Sequence, residues 1–211
     1  PSTPPPSCDG VGSYPYVMTA ACLPAGWSNG VAVNGSLSGV NRFDGFSRTL
    51  GRTPGNSWWR STPSFGPDGG VNASGGADDE AYYWYADASL WPADGDTVPT
   101  YTLAYDGSFC EADWMLVHAL SWYYSMHGQH DAIGWLGLFD AAGTELWRVD
   151  SDQGLAWRHA RVELEPPLRG PFFFVYRAGR SGWYRHYGDA ALSQVVVTCG
   201  PIPPPSSPPV P

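Results

Sequence analysis

The chain has 211 residues, including 11 Trp, 12 Tyr and 8 Phe, and 43% of it is hydrophobic. Its formal net charge is −9, from 20 acidic and 11 basic residues, and every basic residue is arginine. The acidic, lysine-free surface argues against nucleic acid and anionic membrane as partners, which need dense cationic contacts; the missing lysine excludes a Walker A loop and Schiff-base chemistry.

In chain order, Pro1-Ser2-Thr3-Pro4-Pro5-Pro6 comes first, a tract that favours extended polyproline II because proline fixes φ and lacks an amide donor. Residues 1–7 therefore read as a linker, and residues 200–211, rich in proline from Pro201 to Pro211, read as a second one. Between them lies material for one domain with a real core, since each aromatic buries about 150–250 Å². Residues 9–56 are rich in Gly, Ser and Asn, carry short strand fragments only, and are expected to form loops and an N-terminal extension held by a disulfide.

Beyond this segment the chain reads as strands. Runs rich in aromatic and aliphatic residues occupy 81–86, 100–105, 115–126, 133–139, 145–149, 157–164, 172–177 and 191–198. Turn signals punctuate them, among them Asp94-Gly95, Asp106-Gly107, Ala142-Gly143, Asp152-Gln153-Gly154 and Gly188-Asp189. Apolar residues rarely recur at helical spacing for more than a turn, so no amphipathic helix is expected. Strands about ten residues apart predict an all-β sandwich. Within it, Ala160, Val162 and Leu164 should point inward and Arg161 and Glu163 outward, while Phe172 to Tyr176, apolar on both faces, suits a central strand.

Cys8, Cys22, Cys110 and Cys199 are even in number and form no zinc-type Cys-x-x-Cys pair. Asn34-Gly35-Ser36 and Asn72-Ala73-Ser74 are N-glycosylation sequons in turn-like surroundings. With the proline tracts, these features place the chain in an oxidising, secreted environment, extracellular or at the cell surface. It carries no signal peptide and no stretch of ~20 apolar residues. It thus reads as one module of a longer precursor, without direct membrane insertion.

Several segments in order resemble the MAM domain, the extracellular module of meprin-type proteases, neuropilins and receptor tyrosine phosphatases. Asn56-Ser57-Trp58-Trp59-Arg60 with Phe65-Gly66-Pro67-Asp68-Gly69 is similar to the family's W-x-R … G-P-x-x-D stretch. Ala81 to Ser89 is similar to its Y-x-Y/L-E-A-S strand. Leu120 to Gly128, then Gly134-Trp135-Leu136-Gly137-Leu138, is similar to L-x-F-x-Y-H-M-x-G … G-x-L-x-V. Glu145-Leu146-Trp147, Trp157 to Val162 and Gly188 to Leu192, ending at Cys199, complete a resemblance over residues 41–199. It implies a two-sheet antiparallel jelly roll used for adhesion or assembly, without catalysis. The chain departs from the family in having Ala119 where a cysteine is usual, with Cys110 nine residues upstream. Arg42-Phe43-Asp44 stands for the opening C-x-F-E motif, without its cysteine, so Cys8 and Cys22 fall in the segment 8–40, an N-terminal extension or first part of the module. Four cysteines allow three connectivities; Cys8–Cys22 with Cys110–Cys199 is the pairing favoured here.

The resemblance also implies a structural Ca2+ or Na+ held by Asp44 and Asp189, with Asp68 nearby, although the family's acidic pair in the last strand reads Ser193-Gln194 here. Hard cations take 6–8 oxygen ligands, and the lost pair removes charge from the site; surface turn aspartates are the simpler reading. Asp78-Asp79-Glu80 reads as a solvated loop. His127 and His130 point to opposite faces if they lie on a strand, so they read as turn histidines and not as a zinc pair. Glu163 and Glu165 share a strand face but lie at its polar rim before Pro166-Pro167, which suits solvated glutamates better than a glycosidase pair.

Tyr82, Trp84, Trp135, Trp147, Trp157 and Trp183 are more rings than a core of this size obviously needs, and exposed rings stack on sugars. Trp183, Tyr184 and Tyr187, in a loop-like run, are the better candidates for a contact surface, a loop lid over the sandwich edge being the simpler reading. The expected function is a non-catalytic adhesion or assembly module contacting other extracellular proteins or copies of itself. The alternative is a lectin-like module binding glycans.

Overall fold

The computed structural model describes residues 16–18, 26–30, 44–50, 77, 82–86, 100–112, 114–128, 133–179 and 188–202. They form twelve strands and one short helix: β1 (Tyr16–Met18), β2 (Trp27–Asn29), β3 (Asp44–Gly45), β4 (Ser47–Leu50), β5 (Tyr82–Ala86), β6 (Thr100–Tyr105), α1 (Ser108–Ala112), β7 (Met115–Gly128), β8 (Trp135–Asp140), β9 (Glu145–Asp150), β10 (Gly154–Leu168), β11 (Phe172–Arg177) and β12 (Gly188–Pro201). The first sheet runs β10-β7-β12-β5-β4 with β1 also on β12; the second runs β2-β6-β11-β8-β9 with β3 also on β6. All pairings are antiparallel except β3 with β6. The all-β sandwich predicted from strand spacing is the fold.

Each sheet is organised around one shared strand. β12 pairs with β7 along one edge, while its other edge is divided between β5 (Ala190–Leu192) and β1 (Val195–Val197). β6 does the same in the second sheet, with β11 along one edge and β2 and β3 on the other. The stretch before residue 56, expected as loops with short strand fragments, contributes two short strands to each sheet: β1 and β4 to the first, β2 and β3 to the second. At the other end, β12 continues two residues past Cys199, pairing Gly200 with Leu116 and Pro201 with Met115.

The core lies between the sheets. Leu120, Trp122, Tyr124 and Met126 from β7 meet Phe172, Phe174 and Tyr176 from β11. Trp122 is central: its ring meets Trp147 and Phe174 edge-on, each at 5.0 Å, and its cross-strand partner Ala160 leaves room for it. Ala160 and Leu164 face inward, and Arg161 and Glu163 are exposed, as alternation predicts. β11 is buried on both faces: Phe173 and Val175 join Ala104 and Phe139 in a second cluster on the outer face.

Two bulges depart from simple alternation. The β7–β12 register slips between Ser193 and Val196, where Gln194 takes φ 47°, and again between Thr198 and Cys199, opposite His118. An extra residue in a strand reverses which side chains face inward. Ala190 and Leu192 therefore face the core before the first bulge and Val195, Val197 and Cys199 after it.

The helix α1 was not anticipated; at five residues it is too short to show a helical period. Asp106 starts it, its side chain accepting a hydrogen bond from the Ser108 amide at 2.8 Å, and the buried Tyr105 hydroxyl accepts one from the Phe109 amide at 2.9 Å. Burial pushes the Tyr105 phenol up to about 12. From this helix Cys110 bonds to Cys199, as expected, with their Cα atoms 5.5 Å apart and the two residues separated by 89 positions in sequence. In the loop-entropy model such a closure contributes about 4–5 kcal/mol. The paired substitution Cys110→Ser and Cys199→Ser should therefore lower unfolding free energy by about 2–5 kcal/mol in urea titrations followed by circular dichroism; an unchanged midpoint would contradict this.

Candidate functional site

The expected cation ligands are only partly within view. Asp189, at the start of β12, is 2% exposed, not a surface turn residue, and its carboxylate accepts a hydrogen bond from the Tyr85 hydroxyl at 2.5 Å. Asp44 lies on the other sheet, paired with Tyr101. The Tyr101 ring stacks on Tyr176 at 6.1 Å, and the Tyr176 hydroxyl donates to the carbonyl of Gly188 at 2.8 Å, so the strands bearing Asp44 and Asp189 meet at one end of the sandwich. Burial, with the charge of Asp189 and the neighbouring Tyr101, drives the Tyr176 phenol well above its ordinary range, against a hydrogen bond from the Gly134 amide. Among the described residues no three His, Cys, Asp or Glu side chains converge as a metal site. Asp68, Asp78, Asp79, Glu80, Cys8, Cys22, Asn34, Asn72, Trp183, Tyr184 and Tyr187 lie outside the described residues.

Ser193 and Gln194, which stand where the family pattern has its acidic pair, have a structural task. Ser193 Oγ accepts from the Ala77 amide at 3.1 Å and the Gln194 side chain donates to the Ala77 carbonyl at 2.9 Å. The bulge thus clamps the segment at Ala77 onto the outer face of the first sheet.

The histidine and glutamate candidates separate as well. His130 is outside the described residues, while His127 pairs with Asp152 at 2.9 Å. Glu163 and Glu165 are both exposed, and Glu163 is held by Arg161 at 2.6 Å. With His118, Leu164, Pro166 and Pro167 they line a shallow recess of about 360 Å³ at the β10 bulge. This is an open rim.

The aromatic residues divide into core and surface. Trp84 is in the core, and Trp147 packs on Trp122 and on Tyr124 at 5.2 Å. Trp157 rises from the irregular start of β10 on the outer face of the first sheet and meets Tyr83 at 5.7 Å. The small, fully buried Ser125 and Ala191, cross-strand partners, lie between their strands and leave space for that contact. Nearby, Tyr123 and the exposed His159 pack ring to ring at 4.9 Å.

The most developed surface set lies on the outer face of the second sheet. Trp135, Gly137 and Phe139 alternate outward along β8, and the two rings close over the glycine. A Cβ at Gly137 would come within 2.7 Å of Phe139 and 3.3 Å of Trp135. Across the ladder Gly137 faces Arg148, whose guanidinium sits 4.7 Å from the Trp135 ring centre. Asp150 binds that guanidinium through both Nε and Nη2, the latter at 2.6 Å, and Glu145 approaches at 3.7 Å. The fork and ring are therefore oriented before any partner arrives. Trp135 was among the candidates from sequence, whereas Arg148 was missed; its signal was the Arg148-Val149-Asp150 spacing, which puts charge and countercharge on one face of a strand. The other motif glycine, Gly134, is needed for packing, because a Cβ there would lie 1.9 Å from the Arg177 carbonyl oxygen.

No protein-family model and no curated protein matches the chain. Among solved structures, a cleaved adhesin domain of Lys-gingipain from Porphyromonas gingivalis is similar at 15% identity, over 87% of this chain and 96% of that one, with a TM-score of 0.48. The carbohydrate-binding module TmCBM61, solved in complex with β-1,4-galactotriose, is similar at 14% identity, over 59% of this chain and 75% of that one, with a TM-score of 0.36.

The His127–Asp152 pair gives a pH prediction. Partial burial raises the Asp152 carboxyl, but the Gly154 amide, His127 and the Gly128 amide outweigh it and hold the group below its ordinary value of 3.8. A depressed carboxyl adds stability that is present above 3.8 and lost as pH falls through the folded value. Asp152→Asn should therefore melt below the parent at pH 7, and the two melting curves should converge near pH 2. A gap that is equally wide at both pH values would contradict this.

Proposed function

We propose that the chain is a non-catalytic, MAM-like adhesion or assembly module of a secreted or cell-surface glycoprotein. It acts by surface contact with other extracellular proteins or with copies of itself. The observation that carries this reading is the pre-oriented Trp135–Arg148–Asp150 set on the outer face of the second sheet. Trp and Arg dominate the energetics of protein contacts when their geometry is fixed in advance. The MAM-like segments after residue 80 lie on strands, the one at 56–69 being outside the described residues, and the Cys110–Cys199 bond suits an oxidising compartment. Sequons at Asn34 and Asn72 and the proline tracts belong to the same picture of a glycosylated extracellular chain.

Glycan binding is the second reading, favoured by the rings on the outer face of the first sheet. Trp157, Tyr123 and His159 form an aromatic surface near the hydroxyl of Ser121 on β7. Sugar rings stack on such faces while hydroxyls fix their orientation.

Light scattering with crosslinking of the native assembly tests the first reading. It should show a complex that Arg148→Ala weakens by about 30-fold, as expected for a hot-spot residue worth about 2 kcal/mol. A strictly monomeric chain without partners would contradict it. A glycan array separates the two readings, with Trp157→Ala as control. Binding that this substitution abolishes would favour the second, and silence at millimolar sugar would remove it.

A further inference from the structure

Strand β10 is an outer strand of the first sheet: it pairs with β7 along one edge, and no strand pairs with its other edge among the described residues. Such an edge is a template for another strand. The register with β7 is regular from Arg158 to Glu163, and burial alternates as far as Glu165. Ala160, Val162 and Leu164 face the core, while His159, Arg161, Glu163 and Glu165 are exposed on the outer face.

The order of the exposed residues has a symmetry of its own. His159 and Arg161 precede Val162, and Glu163 and Glu165 follow it. When a strand pairs antiparallel with a copy of itself, a two-fold axis sets one residue opposite itself. Positions equally far before and after that residue then face each other. With the axis at Val162, Arg161 lies opposite Glu163 of the second copy and His159 opposite its Glu165, each pair occurring twice. Other registers lose the match. An axis at Arg161 or Glu163 makes a charge face its own copy. An axis at Ala160 sets Arg161 against His159, and one at Leu164 sets Glu163 against Glu165. An axis between two residues would place an inward side chain opposite an outward one.

Opposite charges directly across a ladder stabilise it, and like charges there destabilise it. The charges that keep unrelated strands off this edge therefore admit the strand itself. Within one chain Arg161 already donates to Glu163 at 2.6 Å, yet the two side chains remain 55% and 62% exposed. A guanidinium has five donors and a carboxylate about four acceptor sites, so the pair keeps capacity for a second one across the axis. Pro166 and Pro167 bound the ladder, since they have no amide to donate.

We propose that β10 is an interface with a second copy of this chain, joined antiparallel, edge to edge, about a two-fold axis at Val162. The first sheets of the two copies become one continuous sheet. The proposal rests on the reading of the chain as an assembly module, and gives that module a surface separate from the Trp135–Arg148–Asp150 set. An interface made by one strand edge is small, so association is weak and depends on concentration.

Sedimentation equilibrium of the full chain over a concentration series tests this. The parent should form a dimer and nothing larger, because a two-fold contact closes on itself. Arg161→Glu and Glu163→Arg should each weaken the dimer by about tenfold or more, since either change sets like charges opposite each other twice. Both side chains are exposed, and circular dichroism should show both variants folded like the parent. An equimolar mixture of the two variants should recover the dimer, because each supplies the sign that the other lacks. Neither variant keeps the Arg161–Glu163 pair within its own chain, so recovery reports contact between copies. A chain that stays monomeric at every concentration would overturn the proposal, as would a mixture that fails to recover the dimer. A complex that Arg148→Ala weakens and neither reversal affects would also overturn it, while leaving the assembly reading intact. A dimer lost on either reversal and indifferent to Arg148→Ala would support this edge over the face of the second sheet.

Discussion

The two sheets are held as one body by the packing around Trp122. Its ring reaches from β7 across the sandwich to Phe174 and Trp147 of the second sheet, and is fully buried. The indole N–H has no hydrogen-bond partner among the described residues, and the same is true of Trp27 and Trp84. An unpaired buried donor costs on the order of 1–3 kcal/mol. Removing these large rings from water and packing them edge to face offsets that cost. Shape therefore outranks hydrogen bonding in this core. Neighbouring residues accommodate the ring: Ala160 is small beside it, and on the other side the Gln194 bulge spares β12 a regular rung opposite it.

Each outer face has its own aromatic cluster, built on small residues that let rings lie flat or reach across: Gly137 beneath Trp135 and Phe139, and Ser125 with Ala191 between Trp157 and Tyr83. Edge strand β9 carries Glu145, Arg148 and Asp150, charges that also protect an open sheet edge from indiscriminate pairing. The same charged set also orients the Trp135 ring.

Most of the strand map was legible because turn residues punctuate the chain and the strand runs are rich in aromatic and β-branched residues. β5 to β12 fall where those runs lie, and β11 carries apolar residues on both faces because both are covered. The bulges at His118 and Gln194 were not legible, since a strand with one extra residue has the same composition as one without. Their trace was the switch of apolar parity between Leu192 and Val195. β1 to β4 were legible only as unplaced short strand fragments, because two to four residues carry no period; partners far along the chain define them. Asp189 was misread as exposed because its position beside Gly188 signals a turn, whereas Tyr85, distant in sequence, covers it. For the same reason Arg148 was not seen as part of a site: its partner ring lies on the neighbouring strand.

The claim that one aromatic core couples both sheets is tested most directly by native-state hydrogen exchange with and without Trp122→Ala. Amides at Leu120 and Leu192 in the first sheet, and at Leu103 and Phe174 in the second, should open with one common free energy, and the substitution should lower all four equally. Loss of protection confined to Leu120 and Leu192, with Leu103 and Phe174 unchanged, would contradict it.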